Sequence, residues 1–429
     1  MKNIKINPNY IYIVALLICY FKLTYHFYDV FDISMVDEHS YLFNGVKHKL
    51  SIEYAPLYSA WYFILSFFSA DNTQLMFLNF KLLTIIFPLF IFWFLRKLKI
   101  DTTLAFVLSF FMLISRLNLP IAPKVVMFMN IFQVIILYVS TKKTDKELRN
   151  IFIAFWLFMS YYIRPEYKIS FLLFFIYLTL NYAYQFYKGK RPEKIMYFTF
   201  LIIVFASLSF FIGFPFKNQS GKQLLAFGQH FATHYVTWNN LQENPFTNYA
   251  YILEEAFGKI SSPAQALFSN PELFIRHVLC NVKDYIWIFT HLITSTFFPY
   301  QFIGQSIFIC ISFVLLIAGL IFYYFLNYKL QLDKNSIRKK ANEYRFILFV
   351  AVLLLIPNII SVLVVAPRYH YVSLELPVFA AFVAIALSIF STPKNKPKTI
   401  TKPLLFAFFF AVVAVVLTPL PSQNKLLIE

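Results

Sequence analysis

The chain has 429 residues, of which 59% are hydrophobic and only 14% charged, with 55 Phe, 29 Tyr and a mean hydropathy of +0.64. A water-soluble domain carries roughly 45–50% apolar and about 25% charged residues, so the composition excludes a soluble protein and predicts an all-α, polytopic integral membrane protein. The net charge of +18 would suit a nucleic-acid binder, but the cations sit mostly in short loops between apolar segments, which is a topology pattern.

In chain order, the first apolar run covers 10–28. Lys2 and Lys5 precede it, and Lys22, His26 and Asp29 follow with no small-residue cleavage site, so it reads as an uncleaved first span. Further spans are predicted over 74–95, 103–117, 121–140, 150–163, 167–187, 195–215, 304–327, 345–365, 372–390 and 403–420, about eleven in all. A span needs about 20 residues at 1.5 Å rise across roughly 30 Å of hydrocarbon. Segments 103–117 and 150–163 are short for that and are expected to pack inside the protein or to end in a water-filled cavity.

Two apolar stretches, 57–70 and 285–300, read as interfacial or spanning, and charge parity decides between the two. With both interfacial and the N-terminus inside, the cytoplasmic segments 1–9, 96–102, 141–149, 188–194, 328–345 and 391–402 hold 23 Lys and Arg against six acids. The rest of the chain holds 15 bases and 14 acids. This strong positive-inside bias puts two long loops, 29–73 and 216–303, on the external face of a single membrane domain, 1–429. The richness in Phe, Ile, Lys, Asn and Tyr suggests an AT-rich bacterial genome, so the expected location is a bacterial inner membrane.

Motifs narrow the chemistry by what is missing. The chain has eight glycines and no phosphate-cradling Gly-rich motif. It also has no D-x-D of soluble nucleotide-sugar transferases and no C-x-x-C among its three cysteines, Cys19, Cys280 and Cys310. The acids concentrate in the first external loop, as Asp37-Glu38 and then Glu53 ahead of Pro56-Leu57. The apolar, aromatic-rich segment after Pro56 is too short to span and would hold Glu53 at the interface.

Seven cations, Lys22, Lys81, Arg116, Lys124, Arg164, Lys168 and Arg368, fall within spans or near their external ends. Snorkelling accounts for any one of them. It does not explain seven on the side that positive-inside bias depletes, whereas a lipid-linked phosphate would supply the counter-charge. His230-x-x-x-His234 has a metal-site spacing but lacks the Glu of a zinc protease, and ordinary loop histidines are the commoner reading. Asn270-Pro271-Glu272 is a helix start, with a capping Asn, Pro at the first position and an acid in the first turn.

Asp37-Glu38 after the first span, followed by Glu53-x-x-Pro56-Leu57 leading a short amphipathic helix, resembles the first external loop of GT-C glycosyltransferases. The likeness is to the branch of protein O-mannosyltransferases and the lipid A aminoarabinose transferase. Arg164-Pro165-Glu166 and Pro367-Arg368-Tyr369 add weaker matches, and Ala55-Pro56 stands where the family often has two prolines.

The resemblance implies a sugar carried on a polyprenyl phosphate and transferred to an acceptor hydroxyl on a cell-envelope glycan, a lipid or a protein. It implies Asp37 as catalytic base with Glu38 and Glu53 beside it, and Arg368, Tyr369, Arg164 and Lys81 around the donor phosphate. The three acids also suit a hard divalent cation, leaving metal use open. The competing expectation is a flippase, transporter or O-antigen-polymerase-like protein for a lipid-linked glycan. Intramembrane cations would serve it equally well, although the duplicated halves common in transporters are not visible here.

Overall fold

The computed structural model describes residues 8–25, 36–49, 55–115, 118, 124–142, 145–189, 195–213, 220–297, 314–319, 321, 324–325, 327–331 and 333–393. Their helices are α1 (Pro8–Thr24), α2 (Val36–Val46), α3 (Pro56–Ser66), α4 (Asn72–Lys97), α5 (Thr102–Ile114), α6 (Val125–Ser140), α7 (Lys146–Tyr161), α8 (Lys168–Tyr187) and α9 (Ile195–Ile212). They continue as α10 (Ser220–Trp238), α11 (Pro245–Phe257), α12 (Pro263–Ser269), α13 (Pro271–Phe297), α14 (Lys334–Val364), α15 (Tyr369–Val372) and α16 (Leu376–Phe390). The all-α expectation holds apart from one short ladder, in which Tyr328–Leu330 (β1) pairs antiparallel with Ser391–Pro393 (β2).

Among the described residues, five helical segments are long and apolar enough to cross a membrane: Asn72–Lys97, Pro165–Tyr187, Ile195–Ile212, Lys334–Val364 and Tyr369–Phe390. That is fewer than the eleven expected, for two reasons. Segment 403–420 and most of 304–327 lie outside the described residues. The other shortfall is helix length: α1 has 17 residues, and α5, α6 and α7, with 13, 16 and 16, are shorter still, about 20–24 Å of axis at 1.5 Å per residue.

These short helices are inner ones. Phe106, Phe110, Phe111 and Leu113 of α5 and Val125 through Val134 of α6 are all buried. Protein, rather than lipid, covers their ends. The outer layer is the reverse: α9 buries only 11% of its most apolar window and α8 28%. Helix α14 exceeds a bilayer because its first turns carry Lys334, Arg338, Lys339, Lys340 and Arg345, which belong in water.

Of the two ambiguous stretches, 57–70 forms only the 11-residue α3, too short to span. The other, 285–300, is described to Phe297 as the second half of the continuous amphipathic α13. Helices α10–α13 enclose a small core of their own, with Phe227, Phe231, Ile252, Leu253, Phe257 and Phe274.

The two ends of the bundle differ. At one end Tyr12 bonds Thr103 at 2.9 Å and Lys340 Nζ donates to the carbonyls of Ser388 and Ser391 at 3.0 Å each. At the other, Leu57 N–H donates to Tyr162 O at 3.2 Å, Tyr162 O–H to Gly213 O at 3.3 Å, and His277 meets Val364 O at 3.1 Å. Segments 36–49, 55–66, 162–167, 220–297 and 364–372 therefore share one end of the bundle.

Candidate functional site

Helix α2 opens with two acids, a favourable charge for its N-terminal dipole. Consecutive helical residues project about 100° apart, and here that rotation separates two environments. Asp37 is exposed, while Glu38 is 1% exposed. Helix α3 comes close enough to cover Glu38 because position 45 is glycine: a Cβ there would lie 2.5 Å from Ser59 O and 2.6 Å from Tyr62 Cβ.

The Glu38 carboxylate is saturated. Its Oε1 accepts the phenol protons of Tyr58 and Tyr62, the latter at 2.6 Å, and Oε2 accepts the backbone N–H of Lys124 at 2.9 Å. Asn79 donates to the oxygens of Tyr58 and Tyr62 at 2.7 and 2.9 Å, and its own carbonyl accepts Trp61 Nε1–H at 2.8 Å. Burial pushes the Glu38 carboxyl above its usual value, opposed by the tyrosine hydroxyls, the Lys124 N–H and the Lys124 charge. The Lys124 ammonium is itself buried, donating to Asn118 O at 2.5 Å and Thr84 Oγ1 at 3.3 Å, 4.4 Å from the Phe80 ring centre. Glu38 thus ties α2 to α3, α4 and α6 and has little left to offer a substrate or a metal.

Asp37, about 100° around α2 from Glu38, lies within electrostatic reach of Tyr41, which borders a polar group built on other loops. One turn along α2, Tyr41 feels the charges of Asp37, Glu38, Arg164 and Tyr371; burial raises its phenol pKa most, and Arg164 opposes the rise. Arg164 donates Nε and Nη2 to Glu166 Oε1, both at 2.7 Å, and its guanidinium lies 4.8 Å from the Tyr371 ring centre. Glu166 neutralises part of the charge expected there for a phosphate.

Arg368, exposed, caps the four-residue α15. His370 lies within electrostatic reach of Arg164, Arg368 and His230. Tyr369 is held by Ser295 Oγ at 2.5 Å and by the His291 ring.

Asp37, Arg164, Arg368 and Tyr369 thus fall at one end of the bundle, as the sequence predicts. Lys81 sits on α4 about 200° around from Asn79, so it points away from the Glu38 network. Glu53 and Arg116 lie outside the described residues. Among the described residues no group of three or more His, Cys, Asp and Glu is arranged to hold a metal.

Residues that sequence reasoning missed are Tyr58, Tyr62, Asn79 and Glu375. Glu375 accepts from Tyr285 at 2.5 Å and from Asn358 at 2.9 Å, joining α13 to α14. Their signal was present, since a polar residue in an apolar helix must find a partner inside. No family model, no curated protein and no solved structure matches this chain.

Proposed function

We propose that the chain is a membrane glycosyltransferase of GT-C type with about eleven spans. It would transfer a sugar from a polyprenyl phosphate to an acceptor hydroxyl on the external face of a bacterial inner membrane. The observation that carries this reading is the split between neighbours: Asp37 stands open at the start of α2 while Glu38 is locked beneath it. Arg368 is exposed at the same end of the bundle.

In this reaction Asp37 takes the proton of the acceptor hydroxyl, whose oxygen attacks the anomeric carbon. The bond from that carbon to the phosphate oxygen breaks, and its electron pair leaves with polyprenyl phosphate. Arg368 meets the charge that grows on the departing phosphate, an electrostatic contribution that is usually the largest one in such transfers. Arg164 acts less directly, because Glu166 already occupies it. Loop 216–303, folded as α10–α13, shapes the acceptor side.

The test is incubation of the purified chain with a short-chain polyprenyl-phosphate sugar. A transferase releases free polyprenyl phosphate, whereas a flippase or transporter of lipid-linked glycans moves the donor intact.

A further inference from the structure

The path from α14 to Arg368 is irregular. Helix α14 ends at Val364, Val365 caps it, Ala366 and Pro367 are buried, and Arg368 emerges exposed. The carbonyls at this helix end are held from outside, by α13. His277 and Asn281 are both fully buried there. Asn281 Nδ2 donates to Leu363 O at 2.8 Å, and His277 Nε2 lies 3.1 Å from Val364 O.

A carbonyl only accepts, and Asn281 Nδ2, 3.1 Å from the same ring nitrogen, has Leu363 O at 2.8 Å and Val365 O at 3.5 Å for its own protons, so His277 carries its proton on Nε2. Its Nδ1 is then an acceptor, and 2.9 Å away lies the Nδ1 of His234, one turn after His230 on α10. His234 must donate. Its other nitrogen is 3.9 Å from the carboxylate of Asp284. The order Asp284, His234, His277, Val364 O runs straight to the backbone four residues before Arg368.

We propose that His277 is a positioning residue for Arg368: it fixes the carbonyl end of α14 from which Arg368 is presented, and it does so only while its own Nδ1 stays unprotonated. A proton on His234 Nε2 faces Asp284 and leaves the pair intact, whereas one on His277 Nδ1 would set two Nδ1–H donors against each other across 2.9 Å. The charged groups facing the pair are His230 from α10 and Asp284 from α13, and Arg368, beyond α14, acts on His230. Phe227 and Phe231 of α10 close the His277 ring off from water. Burial, with the charge of His234 and His230, pushes His277 down to about 4. The pair is therefore neutral near pH 7.

The proposal rests on the reading of Arg368 as a phosphate-binding group. The test measures binding of a short-chain polyprenyl phosphate to the full-length chain in detergent. His277→Phe keeps the bulk and loses the contact with Val364. It is expected to weaken binding on the order of tenfold, the scale of one hydrogen bond, and to add nothing on top of Arg368→Ala.

His277→Gln keeps a donor for Val364 O but does not titrate. From pH 7 to pH 4, where His277 titrates, its affinity should fall less than that of wild type, the ionisation of the ligand acting equally on both. Additive losses for His277→Phe and Arg368→Ala, or equal acid losses for wild type and His277→Gln, would overturn the positioning role. Wild-type protein that binds no polyprenyl phosphate at either pH overturns the transferase reading first, and the positioning role with it.

Discussion

Glu38 Oε2 accepts the backbone N–H of Lys124 at 2.9 Å, joining the start of α2 to the start of α6 across 86 positions of sequence. Tyr58 and Tyr62 occupy the other oxygen. This makes Glu38 a stability residue beside Asp37, the proposed base. Glu38→Ala leaves the phenol protons of Tyr58 and Tyr62 and the Lys124 N–H without their acceptor, and should cost about 1–3 kcal/mol for each buried donor left unsatisfied. Glu38→Gln, which keeps the shape, should cost less. Thermal unfolding in detergent measures both, and a Glu38→Ala variant as stable as wild type would refute the assignment.

Arg368→Lys keeps the charge but loses the planar two-bond fork towards phosphate oxygens. It is expected to impair turnover at limiting donor, and Arg368→Ala to impair it more. Wild-type rates in both variants would reduce Arg368 to an interfacial anchor.

Sidedness has a direct assay. With Cys19, Cys280 and Cys310 replaced by Ala, single cysteines at Asn72 and Asn248 should react with an impermeant thiol reagent added outside cells. Cysteines at Lys146 and Asn335 should not. External labelling of Asn335→Cys would break the charge parity and make part of 285–300 a true span.

Acid should loosen the α10–α13 unit. His277 is pushed down to about 4 from its ordinary 6.5, so the folded state binds its proton less readily than the unfolded chain. The stability it contributes is present above 6.5 and is lost as the pH falls towards 4, up to about 3 kcal/mol at 1.36 kcal/mol per unit. Melting curves of wild type and His277→Gln should converge over that interval, and curves that stay parallel would contradict it.

Composition carries the all-helical membrane class, and Pro56 after Ala55 correctly marks the start of α3. The span count is less legible. Hydropathy scores apolar runs alike whether lipid or protein covers them, so α5, α6 and α7 read as spans although 13–16 residues fall short of a bilayer. The roles within Asp37-Glu38 are illegible in one dimension, because the α2–α3 contact at Gly45 decides which acid is buried. The His234–His277 pair joins helices 43 positions apart, and the i, i+4 spacing to His230 read as ordinary loop histidines, with a metal site as the lesser reading.

The central claim stands or falls with Asp37. Asp37→Asn keeps the size and much of the hydrogen bonding but cannot take the acceptor proton, and general-base catalysis contributes about 10²–10⁴-fold. The measurement is turnover of folded, donor-binding Asp37→Asn protein beside wild type. A fall of at least about 10²-fold with donor affinity unchanged is the predicted result. Turnover within about threefold of wild type, far short of the smallest contribution a base makes, would contradict it.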